Sequence, residues 1–198
     1  MRFNPRPFLL FTFLFAILHA AGCSREKPIG PNWPPDPALL DQLDSFKDVG
    51  AYQIRAPKGY AELPDWPAPA GSKAYGWAGA QRPDGTAPSV TAMLVTPPAG
   101  QADSTTLEVF LQEARAGVKR RRVDWTQTAA EGGQISGMNF LRARWTGTEP
   151  NKKWKMHGFI YVARDKSTFI QLSSQDVEPN HDSALKLAEA SILTFKKK

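Results

Sequence analysis

The chain carries one cysteine, Cys23, in 198 residues. A lone thiol excludes a disulfide framework and a cysteine-based zinc site. Histidine is almost as scarce: of three, His19 falls in the N-terminal leader, which leaves His157 and His181. No Gly-x-Ser-x-Gly elbow is present, so a Ser-His-Asp hydrolase lacks its nucleophile turn. Glu131-Gly-Gly-Gln134 lacks the Lys-Ser/Thr of a phosphate loop and does not lead from strand into helix, so it reads as a tight turn. Charge of one sign is also modest. The net charge is +6, and Arg2 and Arg6 belong to the leader, which leaves +4 for the rest. That is far from a dedicated nucleic-acid binder. One long apolar run exists, Phe8 to Leu18, and it is too short for a bilayer, which takes about 20 residues. No internal repeat appears. A content of 41% hydrophobic and 22% charged residues is that of a folded domain and not of a disordered chain.

What is present starts with an address. Arg2 and Arg6, the apolar run, and the small residues Ala20-Ala21-Gly22 follow the order of a secretory leader over 1–22. Ala20-Ala21-Gly22-Cys23 resembles a bacterial lipobox, although Leu is commoner where Ala20 stands. The resemblance implies that Cys23 carries the acyl chains and becomes the new N-terminus. Each buried CH₂ contributes about 0.8 kcal/mol, so several chains anchor firmly. Ser24 after the cysteine resembles outer-membrane sorting in a diderm cell.

Residues 23–48 read as a tether. Pro28, Pro31, Pro34, Pro35 and Pro37 favour an extended spacer that lifts the domain off the membrane. Asp36-Pro37 resembles a helix start, and Leu39, Leu40, Leu43 and Phe46 have helical spacing, which predicts an amphipathic helix over 37–47.

The domain spans 49–198. Strands are expected at 51–55, 73–79 and 89–96, with turns at Pro57-Lys-Gly-Tyr60 and Arg82-Pro-Asp-Gly85. Thr105 and Glu108 form a capping box, followed by the stripe Leu107, Phe110, Leu111, Ala114 and Val118. Lys119 to Arg122 place positive charge at that helix's C-terminus. Strands at 123–128, 134–147, 154–163 and 167–174 follow, the last three as an antiparallel meander. A helix over 182–194, capped by His181 or Asp182, closes the chain. The fold class is α+β, an antiparallel β-sheet with helices packed on it.

This pattern resembles the PsbP-like superfamily over about 49–196. The Pro57-Lys-Gly-Tyr60 turn after an opening strand, the middle helix, the meander, and the closing helix with Thr194-Phe195 carry the likeness. The Pro-rich segment at 61–71 departs from it. The resemblance implies a layered sandwich that serves binding and assembly, with no catalytic residues to transfer.

The residues themselves offer few constellations. Asp176, Glu178, His181 and Asp182 gather before the last helix, but fit no established metal loop and suit a helix start. On the hairpin around 148–152, alternation puts Arg142 and Arg144 on one face, joined by Lys153 and Lys155. These four are the candidate partner-binding patch. Phe159 and Tyr161 share their face further along, under an expected helix.

The reading is a lipid-anchored envelope protein, non-catalytic and without cofactor or metal, that binds a protein partner and no nucleic acid. A rival is a small-ligand or lipid-binding domain whose pocket is lined by Trp66, Trp77, Trp125, Trp145 and Trp154. An undetected enzyme would draw on His157 and His181.

Overall fold

The computed structural model describes residues 28–64, 68, 70–98 and 104–198. The leader and Cys23 lie outside the described residues, as does Trp66. A 3₁₀ helix, Pro37–Gln42, leads into a hairpin of β1 (Leu43–Val49) and β2 (Tyr52–Pro57). Then come β3 (Ala61–Glu62), β4 (Ser72–Ala78), β5 (Ser89–Val95), α1 (Leu107–Lys119), β6 (Val123–Gln127) and β7 (Glu131–Ile135). The meander β8 (Met138–Thr148), β9 (Lys155–Asp165) and β10 (Thr168–Val177) precedes α2 (His181–Ile192) and a short β11 (Lys196–Lys197).

The main sheet has the order β3-β4-β5-β10-β9-β8-β6, with β7 also paired to β8. Its pairings are antiparallel, as the short connections required. Alternation sorts its side chains into two layers. One face buries Trp77, Phe140, Phe159, Tyr161, Ile170 and Leu172 against Leu185, Ala188 and Ile192 of α2 and against the small sheet β1-β2-β11. The other buries Leu141, Trp145, Ile160 and Val162 under Leu111 of α1. Covered on both faces, β9 is buried from Gly158 to Ala163.

Four local expectations are corrected. The helix over 37–47 is instead the 3₁₀ turn and β1. Asp36 does cap it, accepting from Ala38 N at 3.0 Å, with Pro37 in first position. The Arg55 guanidinium then takes the carbonyls of Leu40, Leu43 and Asp44, and the chain extends from Leu43. The expected strand over 134–147 is a hairpin, because Ser136 and Gly137 adopt φ of 50° and 79° and fold it back. The N-cap of α1 is Thr106, one residue after the expected cap Thr105, with its hydroxyl accepting from Val109 N. The N-cap of α2 is Asn180, without a side-chain cap bond, and not His181 or Asp182.

The Pro-rich segment is not a free spacer where it is described. Residues 29–36 form a strap against β7: Trp33 N donates to Gln134 O and Gln134 N to Pro31 O, both at 2.8 Å. Gly132-Gly133 is therefore no tight turn but the strap's seat within β7. A Cβ on Gly133 would meet the Trp33 ring at 2.2 Å, so only glycine admits the indole.

The C-terminal strand is fixed through Asp165, which accepts from Tyr52 OH at 2.7 Å and Lys197 Nζ at 2.8 Å. Burial alone would raise the Asp165 pKa, but these hydrogen bonds outweigh it and hold the carboxyl below its usual range. A depressed folded-state pKa adds stability above the unfolded value and loses it as pH falls through the folded one. The stability gap between wild type and Asp165→Asn is expected to be constant near neutral pH. It should close below about pH 4, the ordinary range of an aspartate, in urea melts taken from pH 7 to pH 2.5.

Candidate functional site

The site lies between α2 and the sheet face it covers. On β8 the two-residue period brings Arg142, Arg144 and Thr146 to this face; on β9 it brings His157, Phe159 and Tyr161. Leu185, Ala188 and Ile192 bury one side of α2. Glu189, one residue beyond Ala188, then points along β8.

Glu189 organises the site. Its Oε1 accepts from Tyr161 OH at 2.6 Å and from Arg142 Nη1 at 3.3 Å; its Oε2 accepts from Arg144 Nη2 at 2.8 Å. Arg142 also reaches Glu131 at 2.8 Å and lies over the Trp33 ring, 4.4 Å from its centroid. Burial, and after it the charge of Glu189, pushes the Tyr161 hydroxyl well above the ordinary phenol range, so it stays a donor. Trp33, Pro34, Pro35, Pro37, Leu39 and Leu193 complete an open groove of about 610 Å³, with Arg142, Arg144 and Lys186 along one wall. Half of the Arg144 side chain, 53%, remains exposed there.

A recess of about 350 Å³ shares Arg144, Lys186 and Glu189 with this groove and ends at His157 and His181. Their rings stack at 3.8 Å, 18° from parallel. Glu178 Oε1 lies 2.6 Å from His157 Nε2 and 2.9 Å from Lys155 Nζ. Hydrogen bonds from Lys155 and then His157 hold the Glu178 carboxyl below its usual range. His157, Glu178 and His181 each offer one donor atom, all within 4.8 Å of one another. Two imidazoles and a carboxylate are a donor set of zinc type. Stacked rings send their in-plane lone pairs along parallel lines, however, so one ring must turn before both address one ion. As the groups stand, Glu178 is spent on Lys155 and His157.

The acidic group expected before α2 is thus divided. Asp176 turns inward to a bidentate pair with Arg82, at 2.6 and 2.7 Å, and is 1% exposed. Asp182 lies 3.2 Å from His181 Nε2.

Of the four candidate partner residues, Arg142 and Arg144 come together, held by Glu189. Lys155 pairs with Glu178, and Lys153 occupies the turn before β9 with φ of 55°. The four do not form one continuous patch. Phe159 and Tyr161 do lie beneath a helix, α2. The described tryptophans of that set do not converge on a pocket: Trp77 is buried in one layer, while Trp145 stacks on Trp125 at 5.2 Å in the other, with Trp154 beside them. Sequence reasoning missed Glu189 and Trp33. The one signal for Glu189 was its place beside the Leu185–Ala188–Ile192 stripe; for Trp33 it was the paired glycines at 132–133.

No family model and no curated protein matches the chain. Solved structures do. The solution structure of cyanobacterial PsbP (CyanoP) from Synechocystis sp. PCC 6803 superposes with a TM-score of 0.56 at 14% identity, covering 85% of this chain and 100% of that one. The Saccharomyces cerevisiae Ran-binding protein Mog1p gives 0.52 at 14% identity, covering 77% and 95%. The chain therefore has a PsbP/Mog1-like α+β fold. At such identities the likeness speaks for the fold alone.

Proposed function

We propose that this protein is exported, anchored by acyl chains on Cys23 in the bacterial envelope, and serves as a non-catalytic module that binds a protein partner. The outer membrane is its place if the cell is a diderm. The observation that carries the partner reading is the groove beside α2. Arg144 and Arg142 are fixed there on rigid strands by Glu189 and Tyr161, Arg144 half open to solvent, with Lys186 beside them. A charged, preorganised surface of this kind loses little entropy on docking. The layer under α2 is filled by apolar side chains, and the groove beside it is open, which favours a partner's surface over an enclosed ligand. Mog1p, of the same fold, is named for binding a protein, Ran.

Cross-linking in native cells tests this reading. The lipidated protein is expected to capture a stoichiometric partner that is lost with Arg144→Glu and Lys186→Glu together. With Cys23→Ser the protein should leave the membrane fraction. Equal capture by the groove variant removes the groove from the contact surface, and unchanged fractionation of Cys23→Ser removes the anchor.

A further inference from the structure

The docked strap fixes where an anchor would attach to the domain. Ile29 N donates to Asn139 Oδ1 at 3.4 Å, at the start of β8. Six residue steps separate Cys23 from Ile29, which span at most about 20 Å when extended. A free spacer from Cys23 to the domain at 49 would allow several times that reach. The strap removes this freedom, because residues 31–33 are hydrogen-bonded to β7.

One end of the sheet therefore stays near the bilayer. Phe140 pairs with Ala163 and Thr168 with Asp165, so the start of β8 and the β9–β10 turn lie together. The β1–β2 turn and the C-terminal residues join them, through Tyr52 on Asp165 and Lys198 N on Ala51 O. Among the described residues gathered there, Arg164, Lys166 and Lys196–Lys198 outnumber Asp48 and Asp165. Asp165 pairs with Lys197 and Asp48 with Lys198. Lys166 stands exposed in the turn. Ile29, 45% exposed, adds an apolar side chain where the strap enters.

Charge alone does not single out this end. Arg120, Arg121, Lys152 and Lys153 make the opposite end basic too. The two ends are separated by the 11 residues of β8, about 35 Å at strand rise. Surface potentials decay over about 10 Å in salt. Tether length decides between the ends, because a 20 Å leash holds the first against the headgroups and lets the second point away.

We propose that the end bearing Lys166 and Lys196–Lys198 is a membrane-facing surface that rests on anionic lipid headgroups, leaving the Arg120–Lys153 end turned outward. This rests on Cys23 being the anchor. Lysines within reach of an anionic leaflet are drawn to it, and acyl chains supply the remaining attachment.

The single cysteine makes the test direct. Lipidation consumes the Cys23 thiol, so an introduced cysteine is the one reactive site. Ser167→Cys, in the β9–β10 turn, and Asn151→Cys, in the β8–β9 turn, each receive an environment-sensitive fluorophore. The lipidated proteins are placed on vesicles of phosphatidylglycerol and phosphatidylcholine that carry a headgroup quencher. The label at 167 should be quenched at least threefold more than the label at 151. That difference should shrink to what the leash alone gives on pure phosphatidylcholine, and with Lys166→Glu and Lys198→Glu together; no change in either case overturns the contact with anionic headgroups. Equal or reversed quenching on vesicle-bound protein overturns the orientation while leaving the anchor intact. A protein that stays off the vesicles and takes a second label, on Cys23, overturns the anchor reading and the orientation with it, before any quenching is read.

Discussion

Arg82→Met is expected to cost about 3–5 kcal/mol of stability, the range for breaking a buried ion pair by removing one partner. Asp176 is 1% exposed and gives both oxygens to the guanidinium, at 2.6 and 2.7 Å. Without Arg82 it is left in a dry layer between β9 and the 79–88 loop. Arg82 also donates to Thr86 Oγ1 and lies at the turn closed by Gly85 N on Arg82 O, so the loop would loosen as well. The diagnostic variant is the pair Arg82→Met with Asp176→Leu. Removing both charges removes the desolvation penalty, and most of the loss should return. Urea denaturation of the four proteins gives the coupling energy directly. A single-variant loss below about 1 kcal/mol would place this pair with exposed surface bridges, against its burial.

The sequence and the structure agree where the physics is local. The β8–β9–β10 meander was legible because its strands are long, alternate cleanly and are joined by short turns. The stripe of α2 and the basic end of α1 were legible for the same reason. The first strand was not. Leu39, Leu40, Leu43 and Phe46 fit a helix, yet Leu43 and Val49 are the buried positions. The first set follows a period near 3.6, whereas Leu43 and Val49, six residues apart, share a face only with a period of two. Pairing with Tyr52–Pro57 decided between them, and a bulge between Leu43 and Phe46 hid the alternation.

The strap was illegible for a different reason. Proline-rich chain reads as solvated because it lacks backbone donors, but the strap needs only two backbone bonds to β7 and a glycine seat a hundred residues away. The same holds for the site. Alternation reads Arg142 and Arg144 with Lys153 and Lys155 as one basic patch, and the two arginines do share one face. Their counter-charge, Glu189, lies 47 and 45 residues further along. No local pattern marks a carboxylate that a helix will later lay across two strands. The consequence is that the face is a fixed network and not a diffuse positive field.

Glu189→Ala puts that network to its second large test, because stability and binding should move in opposite directions. The carboxylate compensates two guanidiniums and accepts the Tyr161 hydroxyl's hydrogen bond, and its side chain is 18% exposed. Its loss should cost about 2–3 kcal/mol, in the range of hydrogen bonds to charged groups, with little added by the half-exposed Arg144. Glu189→Gln keeps the shape and one acceptor and should cost about half as much. The groove, meanwhile, loses a negative charge while Arg142, Arg144 and Lys186 remain. Association with an acidic partner should therefore become faster and more salt-dependent, because steering follows the net field. A variant as stable as wild type would show that the sheet alone holds the arginines. A destabilised variant that binds its captured partner more slowly would show that the partner brings a cation to Glu189, and would reverse the expected charge of the partner.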